Sequence, residues 1–301
     1  MFMLYVNLKK KLNRRLKFRK LKNNNKKIYP LYKSLIKSKI NIFDIGAGQR
    51  MLPEVINFNG ISKVFLVDPN DNIEYCYNQL TRYFSDKKNI FKYKFGISDK
   101  TKKLKYFKSH KSTISTFAFN DKKLKADNKY YGSKNKYLKV YSFKDFLKKF
   151  KLPKPDIIKI DVEGLEGQVV NSVLKISNPL IIQIETNMNT SFFHESFSKI
   201  NNLLLSKNYF LYTLFPSYGV SDLTKNNVIN LKDIELNSIK NPIVQSECYY
   251  IKKKKNYTVK DLICFCAYGF HKYFKMILNM PINRFTKNEK KVLKKLEKIN
   301  N

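Results

Sequence analysis

The stretch that most constrains this chain is Asn41 to Arg50, Asn-Ile-Phe-Asp-Ile-Gly-Ala-Gly-Gln-Arg. Ile42, Phe43 and Ile45 form an apolar, β-prone run of the kind buried as a parallel strand. The run breaks at Gly46 and Gly48, where the backbone can turn sharply and lie against a ligand with no Cβ in the way. A glycine loop leaving a parallel strand sits at the carboxyl edge of the sheet, where open α/β folds hold nucleotides. The dinucleotide fingerprint requires a third glycine at position 51, and Met51 stands there. Asp44, two residues ahead of Gly46, places a carboxylate that suits a ligand presenting an ammonium group and lacking a pyrophosphate. Alone, the loop is a weak signal that a structural turn would also explain, and the residues that follow add to it.

From Ile40 onward strands alternate with helices, which predicts a mainly parallel sheet with right-handed crossovers. Leu52–Phe58 reads as the first helix, closed by Asn59-Gly60. Lys63–Val67 reads as the second strand, Asp71–Phe84 as a helix, and Phe91–Ser98 as the third strand. A lysine-rich stretch through Gly132 reads as a loop. A short helix is expected at Phe143–Phe150, a fourth strand at Asp156–Asp161, a helix from Leu165, and a fifth strand at Leu180–Ile184. A helix over Phe193–Lys207 and strands at Tyr209–Phe215 and Cys248–Ile251 bring the count to about seven strands. One amphipathic helix is expected over Thr258–Asn279, with a basic helical tail after it.

Asp68 lies twenty residues beyond Gly48, at the end of the second strand. A carboxylate there can accept hydrogen bonds from both ribose hydroxyls of a nucleoside. By itself Asp68-Pro69 is a turn signal, and its distance from the glycine loop favours the ribose reading. Ile97, Ser98 and Asp99 fall where an adenine would rest, although Ser98-Asp99 is equally a turn sequence. The densest cluster is Lys159-Ile160-Asp161-Val162-Glu163-Gly164-Leu165-Glu166. Carboxylates crowded in a cleft raise one another's pKa, which is how general bases are made. Anions also sit well at a helix N-terminus, which accounts for Glu166 and not for Asp161. Glu185, ending the neighbouring strand, would face the same cleft.

A chain of 301 residues buries one substantial core, so one α/β domain with extensions fits better than two equal domains. The formal net charge of +37 accompanies abundant Lys, Asn, Ile, Phe and Tyr and no Trp, the profile of an AT-rich genome. Such drift raises lysine without a partner, and only local clustering marks a binding face. Clustering occurs at residues 1–38, which hold no acidic side chain and carry Leu12, Leu16, Phe18 and Leu21 among the basic groups at helical spacing. That arm is either a basic helix for anionic lipid or polymer, or a solvated extension. Cys76, Cys248, Cys264 and Cys266 lack a metal or redox spacing and read as reduced thiols of a cytosolic protein. The apolar start, Met1 to Val6, precedes its basic residues and is too short for a signal peptide, and no run approaches a membrane span.

The segments "IFDIGAG", "VFLVDPN", "GISD", "DIIKIDVEGLEGQVV" and "PLIIQIE" follow one another in this order. Together they resemble the FkbM family of S-adenosylmethionine-dependent methyltransferases over about residues 40–253, with Lys-Ile-Asp-Val-Glu-Gly the most specific part. The resemblance implies a class I methyltransferase fold at 39–255, a Rossmann-like doubly wound α/β sheet. A basic N-terminal arm at 1–38 and a helical C-terminal extension at 256–301 would flank it. It implies S-adenosyl-L-methionine as cofactor and O-methylation, commonly of sugar hydroxyls. By position, Asp44, Gly46, Ala47 and Gly48 would hold the methionine end, Asp68 and Pro69 the ribose, and Ile97 and Ser98 the adenine, with Asp161 bordering the cofactor. Glu163 is the expected base, with Asp161 and Glu185 beside it. No metal is expected, although the same carboxylates could hold a divalent ion that polarises the hydroxyl. Gln49-Arg50 departs from the Asn-x-Gly that often follows the loop in the family. The expected partner is a hydroxyl-bearing glycan or glycosylated small molecule, with peripheral contact to an anionic membrane as a further reading for a cytoplasmic enzyme. The alternatives are an RNA methyltransferase, which the charge suits but which lacks an Asn/Asp-Pro-Pro-aromatic box, and a non-catalytic basic domain.

Overall fold

The computed structural model describes residues 28–48, 53–108, 117, 136–187, 196–217 and 245–300. Residues 1–27 of the basic arm, together with Gln49 and Arg50, lie outside them. The main sheet is built from β1 (Ile40–Ile45), β2 (Ser62–Val67), β3 (Ile90–Tyr93), β7 (Ile157–Ile160), β8 (Ile181–Asn187), β9 (Tyr209–Ser217) and β10 (Gln245–Lys252). These seven strands lie in the order β3-β2-β1-β7-β8-β10-β9. Neighbours from β3 through β8 pair in parallel, and β10 runs antiparallel to both β8 and β9.

Apolar runs such as Ser62–Val67 are continuous because both faces of the sheet are covered. Alternate residues divide between two cores. Ile40, Ile42, Val64, Leu66, Ile157, Ile181 and Ile251 face one; Phe43, Ile45, Phe65, Val67, Ile158, Ile182 and Tyr250 face the other. Helices α2 (Phe143–Phe150), α3 (Glu166–Leu174) and α4 (Phe197–Ser206) cover the second core. There Phe43 stacks on Phe65 at 4.5 Å and meets Phe143 and Phe146 edge-on. Each such fully buried ring contributes roughly 1.5–3 kcal/mol. Ser142 caps α2 by accepting from the Asp145 amide at 3.1 Å.

The first core is covered by α1 (Ile73–Leu80), a 3-10 helix at Pro53–Phe58, and a short helix at 28–35 that buries Ile28 and Tyr32. Three further helices from the chain's end complete it: α5 (Val259–Ala267), α6 (His271–Asn279) and α7 (Lys287–Asn300). Helix α5 is buried from Asp261 to Ala267 and starts in a capping box between Thr258 and Asp261. The single helix expected over Thr258–Asn279 is therefore two, broken at Gly269, whose φ of +91° no helix continues.

The stretch read as one third strand also divides. Ile90–Tyr93 pairs with β2, whereas β4 (Gly96–Ser98) joins β5 (Lys102–Tyr106) and β6 (Lys136–Ser142) in a second sheet of order β4-β6-β5. Gly96 is required at the crossing, since a Cβ there would lie 2.7 Å from the Phe117 ring and 2.9 Å from Val140. Lysines hide β5 and β6 in the sequence, because their apolar residues alternate too sparsely to stand out. Among the described residues no helix is long and apolar enough to cross a membrane. The four cysteines are buried free thiols.

Candidate active site

The glycine loop turns out of β1 with φ of +80° at Gly46 and +51° at Gly48. A Cβ on Gly46 would fall 1.6 Å from the carbonyl oxygen of Asp161, so only glycine lets β1 leave beside the end of β7. The amides of Gly46 and Ala47 both donate to the Val67 carbonyl, at 2.8 and 3.3 Å, and the Asp161 amide donates to that of Ile45 at 2.9 Å. The loop is thus stitched to the ends of β2 and β7. Gly48 then donates its amide to Asp68 Oδ2 at 2.9 Å, while the Asn70 amide donates to Oδ1 at 2.6 Å. Burial raises the Asp68 pKa to about 6 despite those two hydrogen bonds. Each carboxylate oxygen keeps a second lone pair able to accept from a ligand hydroxyl. Pro69 follows in the same turn.

Across the strand boundary Asp44 stands in register with Lys159 of β7. The Lys159 ammonium lies 2.9 Å from Asp161 Oδ2, 3.4 Å from Asp44 Oδ1 and 3.3 Å from the Gly46 carbonyl. Burial opposes the lysine's charge, yet Asp161 and Asp44 hold its pKa above the ordinary value. Burial likewise raises Asp44, with Lys159 working against it. Asp44 Oδ1 is buried, and the Lys159 ammonium at 3.4 Å is the cation that faces it. One ammonium between two carboxylates leaves this edge suited to a cationic ligand. Lys159 carries no role in the sequence reading. The signal for it was a lysine in an otherwise all-isoleucine strand, since a buried ammonium requires a carboxylate on the adjacent strand.

Beyond β7 the chain turns through Glu163, at φ +53°, and Gly164, at φ +110°. A non-glycine residue in the left-handed region costs of order 1–3 kcal/mol and is concentrated at functional turns. Glu166, fully buried, receives the Gly164 amide on both carboxylate oxygens, at 2.9 and 3.1 Å, and closes the start of α3. Glu185 sits on β8 directly opposite Glu247 of β10, and its charge is felt by Lys159. Asp44, Gly46, Ala47, Gly48, Asp68, Pro69 and Asp161 are therefore gathered at the ends of three adjacent strands, with Glu185 one strand further on. Ile97 and Ser98 lie on β4 in the second sheet, where the buried Ser98 hydroxyl is 3.0 Å from both Asp99 Oδ1 and Gln168 Oε1. Among the described residues no three His, Cys, Asp or Glu side chains converge as a metal site.

The family model for the methyltransferase FkbM domain matches residues 44–211, more than half of the chain. No curated protein matches it by sequence. Among solved structures, the methyltransferase FkbM from Methylobacillus flagellatus KT is similar with a TM-score of 0.41 and 14% identity, over 71% of this chain and 43% of that one. This chain thus spans less than half the length of that protein. TrmK of M. capricolum in complex with S-adenosyl-homocysteine is similar with a TM-score of 0.36 and 13% identity, over 91% and 94% of the two chains. A putative S-adenosylmethionine dependent methyltransferase from Listeria monocytogenes gives 0.37 and 10%, over 75% and 96%. The seven-stranded, mainly parallel sheet has the class I methyltransferase fold, and the match over residues 44–211 places the chain in the FkbM family of S-adenosylmethionine-dependent methyltransferases.

Proposed function

We propose that this enzyme methylates a hydroxyl oxygen of a sugar, within a glycan or glycosylated metabolite, with Glu163 as general base. The carrying observation is the edge at β7, where Lys159 holds Asp161 at 2.9 Å beside Glu163 in its left-handed turn. Bound S-adenosylmethionine supplies a methyl already activated on a sulfonium. The chain must align the acceptor, which is worth up to roughly 7–11 kcal/mol, and remove its proton. In this reading Glu163 takes the proton as the hydroxyl turns acidic, Asp161 positions the acceptor, and Glu185 borders it. Asp44, Gly46, Ala47 and Gly48 serve the methionine end, Asp68 and Pro69 the ribose, and Ile97 and Ser98 the adenine side. A carboxylate-rich edge suits a hydroxyl, whose proton must leave, better than a phosphate-bearing polymer, which it repels. The basic arm would bring the enzyme, on the cytoplasmic side, to an anionic lipid surface, each basic residue contributing about 1 kcal/mol near the leaflet.

The test is transfer of labelled methyl from S-adenosylmethionine to methyl glycosides, oligosaccharides, nucleosides and RNA. The expected product is a base-stable methyl ether on carbohydrate. Label found only on RNA, or on no sugar, rejects the reading.

A further inference from the structure

The chain's charge is not spread evenly. Residues 252–301 hold fourteen basic and three acidic side chains, and residues 1–38 hold thirteen basic and none acidic, against thirty-three and twenty over residues 39–251. Compositional drift would raise all three alike, so the excess at the two ends is a local clustering. Exposed apolar side chains gather in one of those ends. Among the described residues seven large ones are exposed, and three fall within seven positions at the end of α6: Met276 at 52%, Met280 at 39% and Ile282 at 45%, with exposed Pro281 between the last two. The other four are spread over α1, β6, α4 and β9. We propose that the corner between α6 and α7 is a membrane-docking surface, which sets Met276, Met280 and Ile282 into the acyl boundary of an anionic bilayer. This rests on the reading above that brings the enzyme to an anionic lipid surface, and adds the face that docks.

The corner holds these side chains outward. Met276 and Met280 are four residues apart on one side of α6, while Phe274, Ile277 and Leu278 face the core. Asn283, buried behind them, accepts the Tyr257 amide at 3.0 Å and donates to the Ile277 carbonyl at 2.8 Å. The turn is thereby fixed both to α6 and to the approach of α5. Ile282 lines one cleft with Arg284 and Asn256, and Lys253, Lys255, Arg284 and Lys287 are exposed in these same segments. The acidic side chains of the region are engaged: Asp261 with Lys254 at 2.7 Å, Glu289 with the Thr286 amide at 2.7 Å, and Glu297 with Lys275 at 3.5 Å. Basic groups that fence exposed apolar ones complement an anionic leaflet: the cations draw the headgroups, and the aliphatic side chains leave water. Aliphatic side chains favour acyl chains over a nucleic acid, whose bases are gripped by aromatic stacking.

Position separates docking from chemistry. Lys252, at the end of β10, donates its amide to the Leu180 carbonyl where β8 begins. Lys253, Lys255 and the start of α5 therefore lie at the edge where the parallel strands start. Residues 28–32 lie there too: the Tyr29 hydroxyl reaches the Gly60 carbonyl just ahead of β2, and Ile28 and Tyr32 share a core with Phe274 and Leu293. The described end of the basic arm is thus on the same side as the corner. The Lys159–Asp161 edge lies at the other end of the same strands. A docked enzyme keeps that edge away from the bilayer and receives its acceptor from the aqueous side.

The test uses the full chain, which has no Trp, with Ile282→Trp as a fluorescent reporter and Tyr137→Trp, exposed on the second sheet, as its control. Each is mixed at low salt with vesicles of phosphatidylcholine, or of phosphatidylcholine and phosphatidylglycerol in equal parts, carrying brominated acyl chains as quencher. The expected result is a blue shift and quenching of Ile282→Trp on the anionic vesicles only, with the control unmoved. Met276→Ser, Met280→Ser and Ile282→Ser together should weaken vesicle binding about tenfold or more with the arm intact, because stable attachment takes two signals. Melting temperature and S-adenosylhomocysteine affinity should hold in that triple variant. Vesicle binding without quenching at residue 282, or undiminished in the triple variant, overturns the corner and leaves the arm reading standing. No wild-type binding to anionic vesicles overturns both. A blue shift that grows with protein concentration in the absence of lipid assigns the corner to a second copy, and binding of oligo-uridylate in place of vesicles assigns it to nucleic acid; either overturns the proposal.

Discussion

One face of one sheet carries two unlike regions. In the parallel half, β2, β1 and β7 all end at the same edge, so their loops converge and charged groups meet there: Asp68, Asp44, Lys159 and Asp161. In the other half, β10 runs back against β8 and β9, and that face is lined by Tyr249, Tyr212, Tyr268 and Phe270 under helices from the end of the chain. The two halves are stabilised differently. A buried charge cluster is complete or costly, because removing one member leaves its partner desolvated. A packed wall of rings is graded: each ring lost removes its own contact area and leaves a cavity of its own size. Converging strand ends gather charged groups; the antiparallel return packs its rings against the helices from the end of the chain.

Several substitutions would break or sharpen that contrast. The largest effect is expected from Glu163→Gln, which should lower turnover by about two to four orders of magnitude while cofactor affinity and melting temperature hold. Rapid-quench assays on a true acceptor would check it, and near-wild-type turnover would move the base to Asp161 or Glu185. Lys159→Met removes the counter-ion from buried Asp44 and should cost about 3–5 kcal/mol in urea unfolding. Adding Asp44→Asn should recover much of that loss, whereas Phe215→Ala, at an exposed ring, should leave stability near wild type.

Asp68→Ala should weaken S-adenosylhomocysteine by about 1–3 kcal/mol in calorimetry, with no change in acceptor KM. The same residue predicts a pH dependence. Its folded pKa of about 6 lies above the ordinary 3.8, so the free enzyme holds a neutral Asp68 below pH 6. Cofactor binding that uses the carboxylate should strengthen as pH rises through about 6, and Asp68→Asn should flatten that profile. For folding the sign is opposite: the contribution of Asp68 is fully present below 3.8 and lost as pH rises through about 6. The smallest effect concerns residues 1–27, whose deletion should abolish binding to anionic vesicles at low salt and leave cofactor affinity unchanged. Wild type that ignores such vesicles would reduce the basic arm to compositional drift.

Much of the parallel half is legible in the sequence. The apolar runs at Ile42–Ile45 and Asp156–Asp161 and the spacing from Gly48 to Asp68 mark strands and loop, because burial on both faces leaves a continuous apolar signature. The ring-lined half is not. An amphipathic pattern runs unbroken through Gly269, and one glycine in a helix costs only about 1 kcal/mol, so the turn that divides α5 from α6 is silent in the local pattern. The second sheet escaped for a similar reason: β4 and β6 are paired across a long stretch of chain, and lysines mask their alternation. Lys159 was visible as a residue and not as a bridge. Side-chain alternation tells which face a residue takes, whereas its neighbour depends on which strand lies alongside and in what register. The sequence by itself determined the elements, their apolar faces and the glycine loop, since these rest on local spacing. Only the tertiary structure decided that β1 lies between β2 and β7, that Asp44 meets Lys159, and that Tyr268 and Tyr249 share a wall, because such contacts join residues far apart in the chain that only packing brings together.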